Sequence, residues 1–189
     1  RHGYPTQDGL RAAEIALQSV KVGADALIGS EGGAWPVISR VADEAVAALC
    51  AEAVGCFEKM HELTLEYLKT RSQFGTTIGS FQALQHRAVD MFVELEQSRS
   101  MTMYASMLAT GDDAVERARA VSAAKVQIGE SAKIIGREAV QLHGGVGMTM
   151  EYAIGHYFKR TTMLDILFGD ANHHLKRLAQ MDGLIREDA

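Results

Sequence analysis

With 189 residues, 47% hydrophobic and 23% charged, the chain is long enough to bury a core of its own. Only two prolines and a formal charge of −5 favour a helix-rich globular chain, and they exclude the basic stripe on which nonspecific nucleic-acid binding rests. No apolar run approaches the roughly 20 residues of a membrane-spanning helix, and the opening Arg1-His-Gly-Tyr-Pro5 is not a secretory leader, so a cytoplasmic protein is expected.

Residues 1–35 differ in character from the rest. The chain opens without methionine, and residues 12–22 are rich in small and β-favouring types, with Ile15, Leu17 and Ser19 on one side of a period-two pattern. Gly23 and the stretch 29–33 then punctuate it. One or two strands cannot make a stable sheet alone, so 1–35 is expected to be the end of a β-domain and its linker, preceding a helical domain over 36–189.

From about Pro36 the apolar period becomes helical. Val46, Leu49, Ala53, Phe57, Met60, Leu63 and Tyr67 line one face of a first long helix. Asp43 and Glu44 read as first-turn acids at the positive end of the helix dipole. Cys50 and Cys56, six apart and so not stacked on one face, read as two buried free thiols. Gly75 and Gly79 break the pattern, and Ser80 is the expected N-cap of a second helix carrying Leu84, Ala88, Met91, Leu95 and Met101 up to Gly111. Asp112 is the expected cap of a third, whose face (Ala118, Val121, Ala124, Ile128, Ala132, Ile135, Ala139, Leu142) is mostly small and permits close helix approach. A fourth stretch, 152–167, is interrupted at Gly169, after which helix resumes through Leu175, Leu178 and Met181 with Asp170 or Asn172 as cap. Three long helices and a broken fourth on short links predict a mainly α fold, an antiparallel four-helix bundle with a short N-terminal β remnant.

Several chemistries can be weighed against this pattern. Glu58-Lys-Met-His61 has the Glu-x-x-His spacing of a di-iron site, but no adequate second pair accompanies it, since Asp170-Ala-Asn-His173 uses the shorter acid at a helix start. The glycines Gly144-Gly-Val-Gly147 close a helix, whereas a dinucleotide fingerprint must follow a strand and open one. His173 and His174 are adjacent on a helix and point about 100° apart, so a shared ion is awkward. No metal is expected.

Two segments carry more. Thr70-Arg71-Ser-Gln73-Phe74-Gly75, with Ile78 and Phe81-Gln82 following, and Ala124-Lys125 with Gln141-Leu-His-Gly-Gly-Val-Gly-Met-Thr-Met-Glu-Tyr152, resemble signatures of the flavin-dependent acyl-CoA dehydrogenases. The resemblance covers the chain from Gly9 onward. It implies the C-terminal helical domain of a flavoprotein that oxidises acyl-CoA thioesters to 2-enoyl-CoA, in fatty acid or steroid side-chain catabolism, as a dimer or tetramer passing electrons to electron-transferring flavoprotein. In that family the FAD of one protomer is held partly by a neighbour's C-terminal domain. Carried over, Arg71 would meet the pyrophosphate, Phe74 would pack by the cofactor and Gln82 would hydrogen-bond it. Gln141 and Gly145 would contact the adenosine end, with Gln73 and Gly144 counted in the same cofactor-binding set. Residue chemistry agrees: a guanidinium fork suits diphosphate and glycine allows close backbone approach.

The family's catalytic base, a glutamate directly before a glycine, falls where this chain has Phe168-Gly169, and phenylalanine cannot take a proton. Lys159-Arg160 likewise stands where an Arg-Asp pair is common. The alternative base position on the first helix falls near Ala45, just after Asp43 and Glu44. Asp170 is the best replacement base, with helix capping as its competing role. The reading is therefore an acyl-CoA dehydrogenase using a displaced carboxylate; the alternative is a catalytically silent subunit of a heteromeric acyl-CoA dehydrogenase that lends its FAD contacts to a partner. A helical interaction module without flavin is a third class, distinguished by indifference to Arg71→Ala.

Overall fold

The computed structural model describes residues 1–182 and 184; the last positions of the expected domain, 183 and 185–189, lie outside the described residues. Five helices carry the fold: α1 (Trp35–Thr70), α2 (Gln82–Ala109), α3 (Ala114–His143), α4 (Ala153–Ile166) and α5 (Ala171–Met181). Long-range side-chain bonds set their directions. Arg40 near the start of α1 donates to Thr110 O at the end of α2, and Arg87 near the start of α2 pairs with Glu138 near the end of α3. Lys125 early in α3 donates to Leu164 O at the end of α4. Consecutive long helices are thus antiparallel, and α5 continues the broken fourth arm against α3.

The apolar stripes pack as their spacing requires. Val46, Ala53, Phe57 and Met60 of α1 meet Met91 and Leu95 of α2, and all eight residues named on the third helix are buried. α3 touches every other helix, and its small residues make that possible. A Cβ at Gly136 would enter the Phe158 ring and one at Gly129 would meet the Asp165 carboxylate and Ala171. Cys50 and Cys56 are free and buried, and burial pushes the Cys50 thiol up to about 12, which leaves it unreactive.

The ends depart from the sequence expectations in instructive ways. α1 begins at Trp35 with Pro36 in its first turn, so Asp43 lies in the third turn, buried, and is no dipole acid. α2 has no side-chain cap; Ser80 instead closes a 3-10 turn (Ile78–Ser80) and donates to Thr77 O at 2.7 Å. Asp113, not Asp112, caps α3, accepting from Val115 N and Glu116 N at 2.9 and 3.0 Å. Both acids suit the role; Asp113 fills it from extended backbone immediately before the helix.

The N-terminal strand is shorter than residues 12–22. It is β2 (Arg11–Glu14), antiparallel to β1 (His2–Pro5) with Pro5 opposite Arg11. Beyond Glu14 the alternating pattern has no partner strand, and Ile15, Leu17, Val20 and Val22 stay exposed. Arg160 of α4 moors this hairpin, bonding Glu52 of α1 with two nitrogens at 2.6 and 2.8 Å and the hairpin's Asp8 at 2.7 Å.

Candidate functional site

The antiparallel course brings the two sequence motifs to one end of the bundle. Arg71 ends α1, Gln82 begins α2, and Gln141 lies in the last turn of α3, whose helix stops at Gly144. A tiny hairpin, β3 (Ser72–Gln73) with β4 (Thr76–Thr77), displays the first motif. An aromatic stack bridges the two: the Tyr67 ring lies 4.6 Å from that of His143, which lies 4.9 Å from Tyr152 at the head of α4. All seven residues expected to bind a cofactor therefore share one end.

Local detail shows what these groups are free to do. The Arg71 side chain is exposed and has no hydrogen-bond or ion-pair partner among the described residues. Phe74 sits at φ 56, a region bulky residues avoid, with its ring 92% exposed and only an edge contact to Phe81. Strain on a solvent-facing aromatic is not repaid by packing within the chain, which is the pattern found where backbone strain serves a ligand. Gln73 bonds only the neighbouring Ser72 O, at 2.7 Å, while Gln82 and Gln141 are exposed.

The glycines of the turn (Gly144–Met148) differ in what they are needed for within the chain. Gly144 needs its freedom for φ 60, and a Cβ on Gly147 would lie 2.7 Å from Val140 O. Gly145 has neither reason, since a Cβ there would meet nothing within 4 Å. Its bare backbone is open to approach from outside the chain. Beneath the turn, His143 is buried with Nδ1 2.7 Å from Ala139 O, and burial lowers its pKa.

The Phe168 turn lies well away from that end, between α4 and α5, beside Ala42 and Asp43 of α1 and Ser122 of α3. Asp170 is the N-cap of α5, its Oδ1 accepting from His173 N at 2.8 Å. Asp43, beside the alternative base position, is 2% exposed and held by Arg117 at 3.3 Å and Arg177 at 3.1 Å. Residue 168 lines a groove of about 530 Å³ together with Trp35, Ile38 and Ala42 of α1 and His173 and Arg177 of α5. The groove was not readable from the sequence, nor was the burial of the polar side chains behind it: Lys125, named only as part of a motif, Ser122, and His174, weighed only as a metal ligand. Lys125 bonds the carbonyls of Leu164 and Asp165 at 2.6 and 2.7 Å, capping α4; burial lowers its pKa.

No group of three His, Cys, Asp or Glu able to hold a metal occurs among the described residues. Glu58 pairs with Arg99 and His61 faces Ala88 O, so the Glu-x-x-His spacing serves helix packing. No helix among the described residues is long and apolar enough to cross a membrane.

The bundle, with its Arg-x-Gln-Phe-Gly loop and glycine turn at one end, can be compared with known proteins. Residues 32–181 match the family described as "Acyl-CoA dehydrogenase, C-terminal domain"; the chain belongs to this family. It is 35% identical over 176 residues to the acyl-CoA dehydrogenase IpdE2 of Mycolicibacterium smegmatis, covering 92% of this chain and 50% of that protein. Among solved structures, the Tcur3481-Tcur3483 steroid ACAD is similar with TM-score 0.81 and 28% identity over 97% of this chain and 48% of that one. PigA with FAD and proline is similar with TM-score 0.67 and 33% identity over 74% and 36%. The chain thus spans about half the length of the curated relatives it matches.

Proposed function

We propose that this chain is the helical, cofactor-holding and oligomer-forming part of an FAD-dependent acyl-CoA dehydrogenase. The observation that carries the reading is the gathering of Arg71, Phe74, Gln82, Gln141 and Gly145 at one bundle end, unpaired and facing outward. These residues fit a diphosphate linked to flat rings: a free guanidinium fork for phosphate, amide side chains for hydroxyls and ring nitrogens, a held-out aromatic, and a glycine open to contact. FAD bound there would supply the electron-accepting chemistry, and this chain's part is to bind and orient it. In this proposal the FAD they hold is that of a neighbouring protomer, as the family resemblance implies. Acyl-CoA as substrate, electron-transferring flavoprotein as acceptor, a dimer or tetramer as assembly and the cytoplasm as compartment belong to the same proposal.

Asp170 remains the proposed proton acceptor in a self-sufficient enzyme. Asp170→Asn is the informative variant, because asparagine caps helices as well as aspartate. α5 then keeps its start while any proton-accepting role is lost. A second reading is favoured by Phe168 standing at the base position, with Asp43 committed to arginines and Asp170 to a cap. In it the chain is the silent partner of a heteromeric dehydrogenase.

The test is FAD content, measured as the flavin-to-protein absorbance ratio of the full-length protein after desalting. Arg71→Ala should lose most bound flavin and Arg71→Lys should retain part of it, since lysine keeps charge without the fork. Equal flavin content in Arg71→Ala and the parent would overturn the reading.

A further inference from the structure

The turn joining α4 to α5 carries two successive left-handed residues, Phe168 at φ 57 and Gly169 at φ 98. Gly169 has an evident reason, because a Cβ there would enter the His173 ring. Phe168 has no such licence. Its ring is 55% exposed, so burial does not offset the cost of holding a bulky residue in that region. Something outside the residue must hold the peptide in place.

His174 is placed to do so. It is 1% exposed, with Nε2 3.1 Å from Phe168 O and Nδ1 3.1 Å from the hydroxyl of the fully buried Ser122 on α3. A carbonyl only accepts, so Nε2 carries the hydrogen. Nδ1 is then the acceptor, and Ser122 donates to it. The arrangement needs a neutral ring, and burial depresses the His174 pKa to about 4. Ser122 lies 3.4 Å from Arg177, which holds Asp43, which holds Arg117. The Phe168 carbonyl is therefore tied through one bonded series to α5, α3 and α1. On the other side of the turn, Asp165 accepts from Ala171 N at 3.2 Å, beside the carbonyls that Lys125 caps.

We propose that His174 is the positioning residue of position 168: its Nε2–H holds the Phe168 peptide left-handed and so fixes residue 168 as a wall of the groove shared with Trp35 and Ile38. In the dehydrogenase reading that wall stands where the family's proton acceptor stands. The positioning role itself rests on this chain alone, and its test needs neither FAD nor substrate, so the two can fail separately.

The experiment compares His174→Gln, which can still donate to the carbonyl, with His174→Leu, which fills space but cannot. Two local readouts apply: hydrogen exchange at the Gly169 amide, which donates to Ile166 O at 3.3 Å, and the emission of Trp35, the chain's one tryptophan. His174→Leu should speed Gly169 exchange about tenfold, as losing one buried hydrogen bond implies, and shift Trp35 emission, while exchange at Ile128 and Ile135 in the α3 core is unchanged. His174→Gln should restore both readouts toward the parent. Should the leucine variant fail to fold, Ser122→Ala serves: histidine nitrogen NMR in the parent should show the Nε2–H form, and the variant should lose that preference and exchange faster at Gly169. Equal behaviour of the glutamine and leucine variants, an unchanged Gly169 amide in either test, or an Nδ1–H ring in the parent would overturn the proposal.

Discussion

Replacing Asp43 with asparagine tests whether that carboxylate is structural. It is buried, receives Arg117 Nε at 3.3 Å and Arg177 Nη1 at 3.1 Å, and ties α1 to α3 and α5. Arg117 is 5% exposed, and its remaining contact is Nη1 to Gly111 O at 2.7 Å. Asparagine keeps the shape and one acceptor but leaves the Arg117 charge buried without its counter-ion. Breaking a buried pair from one side costs about 3–5 kcal/mol. Arg177 is 30% exposed and can turn to water, so a loss of about 3 kcal/mol is expected here. In a urea titration followed by circular dichroism, that loss moves the midpoint down by about 1–1.5 M at a slope of about 2–3 kcal/mol/M. Combining Asp43→Leu with Arg117→Met should cost less than the sum of the two single changes, because neither charge is then stranded. A loss under about 0.5 kcal/mol for Asp43→Asn, the scale of an exposed pair, or strict additivity in the double variant, would refute the reasoning.

Three further outcomes are expected. Phe74→Gly relieves a left-handed strain of about 1 kcal/mol and gives up an edge contact of about 0.5 kcal/mol, so the melting temperature should move by less than about 3 °C while flavin retention falls; a large stability loss would make Phe74 a packing residue instead. The buried His174, at about 4 in the folded chain against 6.5 when unfolded, stays neutral as the unfolded chain gains protons. The native state then binds fewer protons, so its stability is intact above pH 6.5 and falls on acidification through pH 4. At pH 5 the loss is about 2 kcal/mol. The gap between the urea midpoints at pH 7 and pH 5 should narrow in His174→Gln, since the buried His61 and His143 still contribute their share, and an equal drop in both proteins would count against the assignment. Arg160→Gln should make the segment up to residue 34 cleavable under limited proteolysis at concentrations the parent withstands, since Asp8 and Glu52 lose their shared partner. Unchanged cleavage would mean that the hairpin is held by other contacts.

What could be read from the sequence divides by the range of the interaction. The stripe from Val46 to Met60 and the small-residue face of α3 were legible because a 3.6-residue period is written locally and burial follows it. The two family motifs were legible as strings, and the antiparallel order of long helices was enough to bring Arg71 and Gln141 together. The choice between Asp112 and Asp113 turned on the backbone of two adjacent acids, which no side-chain preference separates. Residues 12–22 carried a strand pattern that only Arg11–Glu14 realised, because a strand exists by virtue of its partner. The polar groups behind Phe168 stayed hidden for a related reason. His174 meets Ser122 from 52 residues away, and Lys125 reaches carbonyls 39 and 40 residues on. A buried polar side chain is intelligible only once its partner is known.

The Arg71 loop and the Phe168 turn are built on opposite principles. From Asp43 to Arg71 the first helix rises about 42 Å at 1.5 Å per residue, so side chains at the Arg71 loop and at the Phe168 turn cannot grip the same small group. At the Arg71 end the guanidinium is unpaired, Phe74 is strained and solvent-facing, and Gly145 is bare. At the Phe168 turn the side chains behind it are committed: Asp43 to two arginines, His174 to Ser122 and a carbonyl, Lys125 to two more, and Asp170 to a helix start. The Phe168 turn is bonded within the chain and displays a groove wall, while the Arg71 loop displays polar and aromatic groups that have no side-chain partner of that kind among the described residues. In the proposed enzyme, a cofactor gripped by Arg71 and a group lying against Phe168 are therefore contacted by separate parts of this chain, so Arg71→Ala should alter flavin retention without disturbing the groove at Phe168.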